Sequence, residues 1–118
     1  DLSGEDLSTL KLMEADFSDA DLTEADLSSA YLTKANLSRA NLTDADLSDV
    51  VLAEAILNGA DFSNAELMGG WFNGADLTGA VNLTADQIED ANIDRDTRLP
   101  EYLKVTWNDD GSYTCAQK

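Results

Sequence analysis

The chain has 118 residues, enough for one domain, and its 24 acidic and 7 basic side chains give a formal charge of -17 without any histidine. Such a charge repels nucleic-acid phosphates and anionic membranes, so direct binding to either is not expected. No apolar run is long enough for membrane insertion and no signal peptide is visible, while 43% hydrophobic content on a strict period argues against disorder.

Residues 1–80 form an uninterrupted repeat of five residues. Leu or Phe recurs at every fifth position from Leu2 to Leu77, which gives sixteen units, thirteen centred on Leu and three on Phe. A small residue, usually Ala, precedes each centre by two positions, and Asp or Asn directly precedes it in ten units. Five residues advance an α-helix by about 500°, and on a flat strand an odd spacing sends alternate Leu to opposite faces, so neither regular element fits.

A coil with corners satisfies this repeat. Ala and Leu are two positions apart and therefore share a side of one short extended piece, and a corner after each piece turns the next pair inward. Stacked coils would bury Leu and Ala and pair through parallel backbone hydrogen bonds, which predicts an all-β fold, a β-solenoid. The Asp and Asn beside the corners are expected to accept hydrogen bonds from backbone N–H groups.

Exceptions to the consensus give the number of units in a coil. The residue before the centre is neither Asp nor Asn at Lys11, Tyr31, Val51 and Trp71, which are spaced by twenty. Four units per coil would stack these four side chains on one face of a square tower of four coils, about 20 Å tall. Ile56 lies round the next corner from Val51 and is also aliphatic. These five residues are the predicted interaction face, because adjacent exposed apolar side chains usually contact something.

The unit A(D/N)LXX resembles the pentapeptide-repeat family over residues 1 to about 80. This resemblance implies a right-handed quadrilateral β-helix, here with four coils of four pentapeptides. Most members of that family have no established activity, so the resemblance is more specific for the fold than for the function. Glu5 and Leu10 replace the small inward residue, which predicts a distorted or frayed first coil.

Residues 81–118 are predicted to form a C-terminal cap and a tail. Thr84 and Gln87 have the spacing of a capping box, which predicts a short helix at about 85–91 laid across the open end of the solenoid.

The tail alternates apolar and polar residues before the turn-forming sequence NDDG, which predicts a hairpin or an extended arm. Its apolar side chains match the exposed patch around Val51 and are tethered nearby, so we expect the tail to fold back over that patch. The residues expected to cover it are Leu103, Val105, Trp107 or Tyr113. The alternative is that the patch binds another protein or a second copy of the chain.

No catalytic, cofactor or metal pattern is present. The sequence lacks histidine, a Gly-rich phosphate loop and a DxDxDG calcium loop, so we expect no enzyme activity, no cofactor and no metal. Cys115 is unable to form a disulfide within the chain and is expected to be a bystander. The sequence does not identify the compartment, and two are open: a bacterial-type cytoplasm or, after removal of a targeting segment, an exported or lumenal space.

Two functions are open. The first is a structural or interaction module that presents a rigid acidic face to an unidentified protein partner, as a monomer or weak dimer. The second, implied by the resemblance, is a DNA mimic, because quinolone-resistance members of the family act on DNA gyrase. Charges at the outer corner position favour the first function. Glu24, Asp44 and Asp49 are interrupted there by Lys34 and Arg39, whereas a mimic needs continuous negative rows.

Overall fold

The backbone pairs with itself at intervals of twenty residues in the computed structural model, which describes the whole chain from Asp1 to Lys118. Parallel bridges join Asp6 to Asp26, Asp26 to Asp46 and Asp46 to Glu66, and the other three sides of the coil follow the same spacing. This is the spacing that four units per coil predict. Each layer of about twenty residues therefore lies on the layer before it, about 4.8 Å away.

Each unit is a short extended piece followed by a tight turn. The amide three positions after each centre donates to the carbonyl of that centre, as Ala25 N does to Leu22 O at 3.0 Å. In all sixteen units the residue two positions after the centre has a positive φ, whereas the residue directly after the centre does not. This is the geometry of a type II turn. Eleven of these sixteen residues are not glycine, as at Glu54, where φ is 58°.

The interior holds the centre residues and the small residues, as the repeat predicts. Every centre from Leu22 to Leu77 is at most 2% exposed. Amides and carbonyls of neighbouring layers pair, for example Leu22 N with Asn41 O at 2.8 Å. Burial of these apolar side chains and satisfaction of the backbone polar groups together hold the layers in register.

The first layer differs from the prediction of a distorted coil. Its amides bond to the second layer in the regular pattern, with Leu2 N donating to Asp21 O at 2.8 Å and Leu7 N to Asp26 O at 2.7 Å. Leu10 is 44% exposed, and the four centres of this layer are only partly buried. The backbone of this layer thus keeps the repeat, and its exposed side chains lie on the face turned away from the second layer.

Beyond Leu77 the layered pairing continues with a helix inserted into it. Helix α1, Ala85–Asp90, is closed by the predicted capping box and ends one residue before the expected boundary. Parallel bridges resume after it between Trp71 and Asn92, and between Asp76 and Arg98, at spacings of 21 and 22 residues. No helix in the chain combines the length and the hydropathy needed to cross a membrane.

The tail is a hairpin and not an extended arm. Strand β1, Leu103–Trp107, pairs antiparallel with strand β2, Tyr113–Gln117, and Val105 lies opposite Cys115. The hairpin packs against α1, where Cys115 N donates to Glu89 Oε2 at 2.8 Å. Element order along the chain is therefore the layered repeat, α1, a short return to the layers, and the hairpin.

Candidate functional site

The predicted interaction face is built from one column of stacked residues and one neighbour. Parallel bridges join Lys11 to Tyr31, Tyr31 to Val51 and Val51 to Trp71, so these four residues form a single column, here called the aromatic column. Backbone hydrogen bonds fix the spacing, with Tyr31 N donating to Leu10 O at 2.9 Å and Trp71 N to Val50 O at 2.7 Å. Ile56 lies in the next column round the corner, where it bridges Asn36 and Asp76.

Large side chains in the aromatic column are exposed, and a smaller one lies between them. Tyr31 is 46% exposed and Trp71 is 48% exposed, while Val51 in the layer between them is half-buried. Two layer spacings separate Tyr31 from Trp71, a distance of about 10 Å. Ala53, the other outward residue of the middle layer on this side, is also small. Small outward residues, Val51 and Ala53, therefore lie in the layer between the two aromatic residues, and this position is here called the recess.

Carboxylates flank this recess at both corners of its layer. Asp49 and Glu54 occupy the left-handed corner positions before and after Val51, and both are exposed. In the next layer the two corners are glycines, and a Cβ added to Gly69 would collide with Asp49 Oδ1. A Cβ on Gly74 would lie 3.4 Å from Glu54 Cγ. Both acidic side chains therefore extend over glycine corners toward the layer of Trp71.

The expectation that the tail covers this patch is wrong. Leu103 and Cys115 are buried against the C-terminal end of the layers, and Trp107 packs on Tyr113 at 5.2 Å between ring centroids. The guanidinium of Arg95 lies 4.8 Å from the centroid of the Trp107 ring. Alternation in the tail identified its apolar side without showing which surface that side meets. Without the hairpin, the apolar side chains of the last layer and of α1 would be open to water, and the hairpin packs on them instead of on the aromatic column.

An acidic column lies on the neighbouring side of the coil and was missed by the sequence analysis. Parallel bridges stack Asp6, Asp26, Asp46 and Glu66 without interruption. The sequence does contain a signal for this column, because an acidic residue precedes the centre at four positions spaced by twenty residues. The corner positions do not carry this signal, because Lys34 and Arg39 interrupt the acidic residues there.

The carboxylates and amides before the centres hold the turns, as the sequence predicts. In all ten units with Asp or Asn, the side-chain Oδ1 accepts a hydrogen bond from the amide two positions later. Ser8 Oγ donates to Asp6 at 2.6 Å, and this bond, with the Ser8 amide, lowers the pKa of the Asp6 carboxyl. The abundance of acidic residues thus has a local structural cause. No three His, Cys, Asp or Glu side chains are arranged to hold a metal ion.

Two further polar groups, the Arg39 guanidinium and the Cys115 thiol, have structural roles. Arg39 forms the one ion pair of the chain, with Asp19 in the layer below, through two hydrogen bonds of 2.8 and 3.0 Å. Cys115 is a free, buried thiol in β2. Burial raises the pKa of Cys115, and the nearby Glu89 raises it further, so the nucleophilic thiolate is disfavoured.

Comparison with known proteins identifies the repeat. A family model for pentapeptide repeats matches residues 11–49 and 45–81. The solved pentapeptide repeat protein alr5209 from Nostoc PCC 7120 is 37% identical, with 84% of this chain and 73% of that chain covered and a TM-score of 0.50. No curated protein matches the chain significantly.

Two more solved structures extend the comparison. A pentapeptide repeat protein of the Arabidopsis thaliana thylakoid lumen is 31% identical, with 93% of this chain and 70% of that chain covered and a TM-score of 0.42. HetL of Nostoc PCC 7120, which is involved in heterocyst differentiation regulation, is 26% identical, with coverages of 83% and 56% and a TM-score of 0.43. The family model and the match to alr5209 show that this chain belongs to the pentapeptide-repeat family, and its layers are those of a right-handed β-helix.

Proposed function

We propose that this protein is a non-enzymatic interaction module that presents a rigid, acidic solenoid face to a protein partner. The proposed architecture is a domain of four coils of four pentapeptides, residues 1–80, closed by a C-terminal cap of α1 and the hairpin in residues 81–118. Absence of histidine and burial of the one cysteine support a role without acid–base or nucleophilic chemistry. The charge of -17 opposes self-association, so we expect a monomer or a weak dimer.

The observation that carries this proposal is the exposure of the aromatic column on a stiff scaffold. Tyr31 and Trp71 each leave nearly half of their surface in water, and no other part of the chain covers them. Tyr and Trp are over-represented among the residues that contribute most to binding energy at protein interfaces. The backbone N–H and C=O of each residue are both hydrogen-bonded to the preceding layer, as Tyr31 is to Leu10 and Leu12, so little ordering entropy would be lost on binding.

Site-specific photo-crosslinking tests this proposal. A photo-reactive benzoylphenylalanine at position 31 should give one discrete adduct in an extract of the source organism. The same group at position 104, exposed on β1, is the control and should give none. Trp71→Asp should abolish the adduct from position 31 while leaving the circular dichroism spectrum unchanged. No adduct from position 31, or equal adducts from both positions, would contradict the proposal.

The acidic column supports a second function, a DNA mimic that acts on gyrase. Its four carboxylates are stacked one per layer, so it carries one charge per about 4.8 Å, against one per about 1.7 Å along duplex DNA. The column alone thus reaches roughly a third of the charge density of the duplex, which ranks this function second. A supercoiling assay with purified gyrase decides between them. Inhibition or quinolone protection at micromolar protein, lost on Asp26→Asn with Asp46→Asn, would favour the mimic.

A further inference from the structure

We infer that the partner segment bound by the aromatic column is cationic, with an aliphatic side chain seated between Tyr31 and Trp71. This inference rests on the proposed function and adds the chemistry of the partner to it. Val51 and Ala53 offer a small apolar surface between Tyr31 and Trp71, which lie two layers apart, about 10 Å. A Leu, Ile or Pro side chain placed there would contact the apolar side chains of the column.

Charges around the recess select the flanking residues of the partner. Asp49 and Glu54 extend toward the layer of Trp71 from the two corners, one on each side of the recess. The acidic column lies beyond Asp49 on the adjoining side, with Asp46 and Glu66 in the same two layers. An anionic or neutral segment would meet these carboxylates without a compensating charge, whereas Lys or Arg on both sides of the aliphatic residue would neutralise them.

No basic residue of the chain forms an ion pair with Asp49 or Glu54. Arg39 is engaged with Asp19. Lys34 lies one layer below Glu54 at the same corner and is not within ion-pair distance of it, since Arg39 and Asp19 form the only pair in the chain. Lys11 lies at the opposite end of the aromatic column from Trp71, beyond Tyr31. A second copy of the chain, itself at -17, is a poor match for the same surface.

Titration with short peptides, followed by NMR, tests the inference. The chain has two tryptophans, so the indole N–H of Trp71 reports on the recess, and that of Trp107 in the hairpin serves as the internal control. The probe is a seven-residue peptide with one Leu between three Lys on each side. Two matched peptides carry Gly in place of Leu, or Glu in place of Lys.

The expected result is a saturable shift of the Trp71 indole and the Val51 methyl groups by the Lys–Leu peptide, with the Trp107 indole unchanged. The Gly peptide should bind at least about tenfold more weakly because the buried leucine is lost, and the Glu peptide should give no shift. Asp49→Asn with Glu54→Gln should raise the Kd about threefold to tenfold. Glu24→Gln with Asp44→Asn, which neutralises a different corner of the coil in two successive layers, should leave the Kd within twofold.

Several outcomes would overturn the inference. Equal shifts from the Glu peptide, or equal shifts of both indoles, would mean that the surface does not select a cationic aliphatic segment. A Trp71 shift on dilution of the protein alone would identify a second copy as the occupant. Absence of a shift with the Lys–Leu peptide, while position 31 still gives its adduct, would reject this chemistry and retain the proposed function. Loss of the adduct as well would reject both.

Discussion

From Leu22 onward, each unit of the repeat is stabilised at its centre by almost complete removal of an apolar side chain from water. Leu42 is 0% exposed between two layers, so Leu42→Ala should lower the free energy of unfolding by about 2–5 kcal/mol, the usual cost of truncating a core side chain. Urea denaturation measures this change. The control is Ser48→Ala, because only the amide of Ser48 bonds to Asp46 and its hydroxyl has no partner within the chain.

Ser48→Ala should therefore cost under about 0.5 kcal/mol, as surface substitutions do. Similar losses at both positions would contradict the inward placement of the centres.

The turn carboxylates make stability depend on acid pH. Asp16 and Asp21 accept hydrogen bonds of 2.6 Å from the hydroxyls of Ser18 and Thr23, and these bonds lower the pKa of both carboxyls below the usual value. A pKa that is lower in the folded state adds stability that is complete above the unfolded pKa of about 3.9. That stability is lost as the pH falls through the folded pKa. Asp16→Asn with Asp21→Asn should flatten the fall in the urea midpoint between pH 5 and pH 3.

A matched pair tests whether this effect belongs to the turns. Glu24 and Asp44 are exposed corner carboxylates that accept no hydrogen bond from a turn amide. Glu24→Gln with Asp44→Asn should leave the slope with pH unchanged. If this pair flattens the slope as much as the first, the loss of stability in acid is not specific to the carboxylates that hold the turns.

At the scale of elements, helix α1 acts as an insertion that satisfies the exposed edge of the last regular layer. The side-chain amide of Gln87 donates to Phe62 O at 3.0 Å and to Ala65 O at 2.9 Å, while its oxygen accepts from the amide of Thr84. The residue thus has two roles, in the capping box and on the edge. Gln87→Ala should lose both and cost about 2–3 kcal/mol in urea denaturation.

Gln87→Glu separates the two roles. It keeps the acceptor of the capping box and loses the donors to the carbonyls of Phe62 and Ala65. It should be destabilising by an amount close to that of Gln87→Ala if the edge bonds dominate. A stability equal to wild type would show that the capping box alone matters.

The helix also shows what could be predicted from the sequence at this scale. Thr84 and Gln87 indicated its start because capping depends on local spacing. Continued pairing at Asn92 and Arg98 was hidden, because the inserted turn of helix changes the spacing from twenty to 21 and 22 residues. The surface covered by the hairpin was also not predictable, since alternation at Val105 specifies a buried side of a strand and not its partner.

For the interaction face, the stacking of its residues could be predicted from the sequence, but the orientation of the carboxylates beside it could not. Stacking of Tyr31, Val51 and Trp71 follows from the period alone, because twenty residues return the chain to the same side of the coil. Orientation of Asp49 and Glu54 toward Trp71 depends on the glycine corners above them. The left-handed φ that recurs at every corner is a property of the turn, and the mostly non-glycine residues there do not indicate it.

At the scale of the whole molecule, the stacked layers give the two ends of the chain different environments. Overall extents are 41 × 23 × 19 Å, and the long axis ends in α1 and the hairpin on one side. On the other side, no backbone group bonds to the amides of Asp6, Lys11, Asp16 and Asp21. Their counterparts one layer later are bonded, as Tyr31 N is to Leu10 O at 2.9 Å.

Hydrogen exchange along the axis should follow this pattern. Residues 1–14 should exchange faster than residues 36–60, and the Lys11 amide should exchange at least about a hundredfold faster than the Tyr31 amide after correction for sequence. The Leu12 amide is the internal control, because Leu12 neighbours Lys11 in the same layer and its amide donates to Tyr31 O at 2.7 Å.

Slow exchange of the Leu12 amide beside fast exchange of the Lys11 amide would mean that the first layer is intact and only its outer edge is unpaired. Equally fast exchange at both would mean that the first layer frays as a unit, and uniform protection along the axis would contradict the open end.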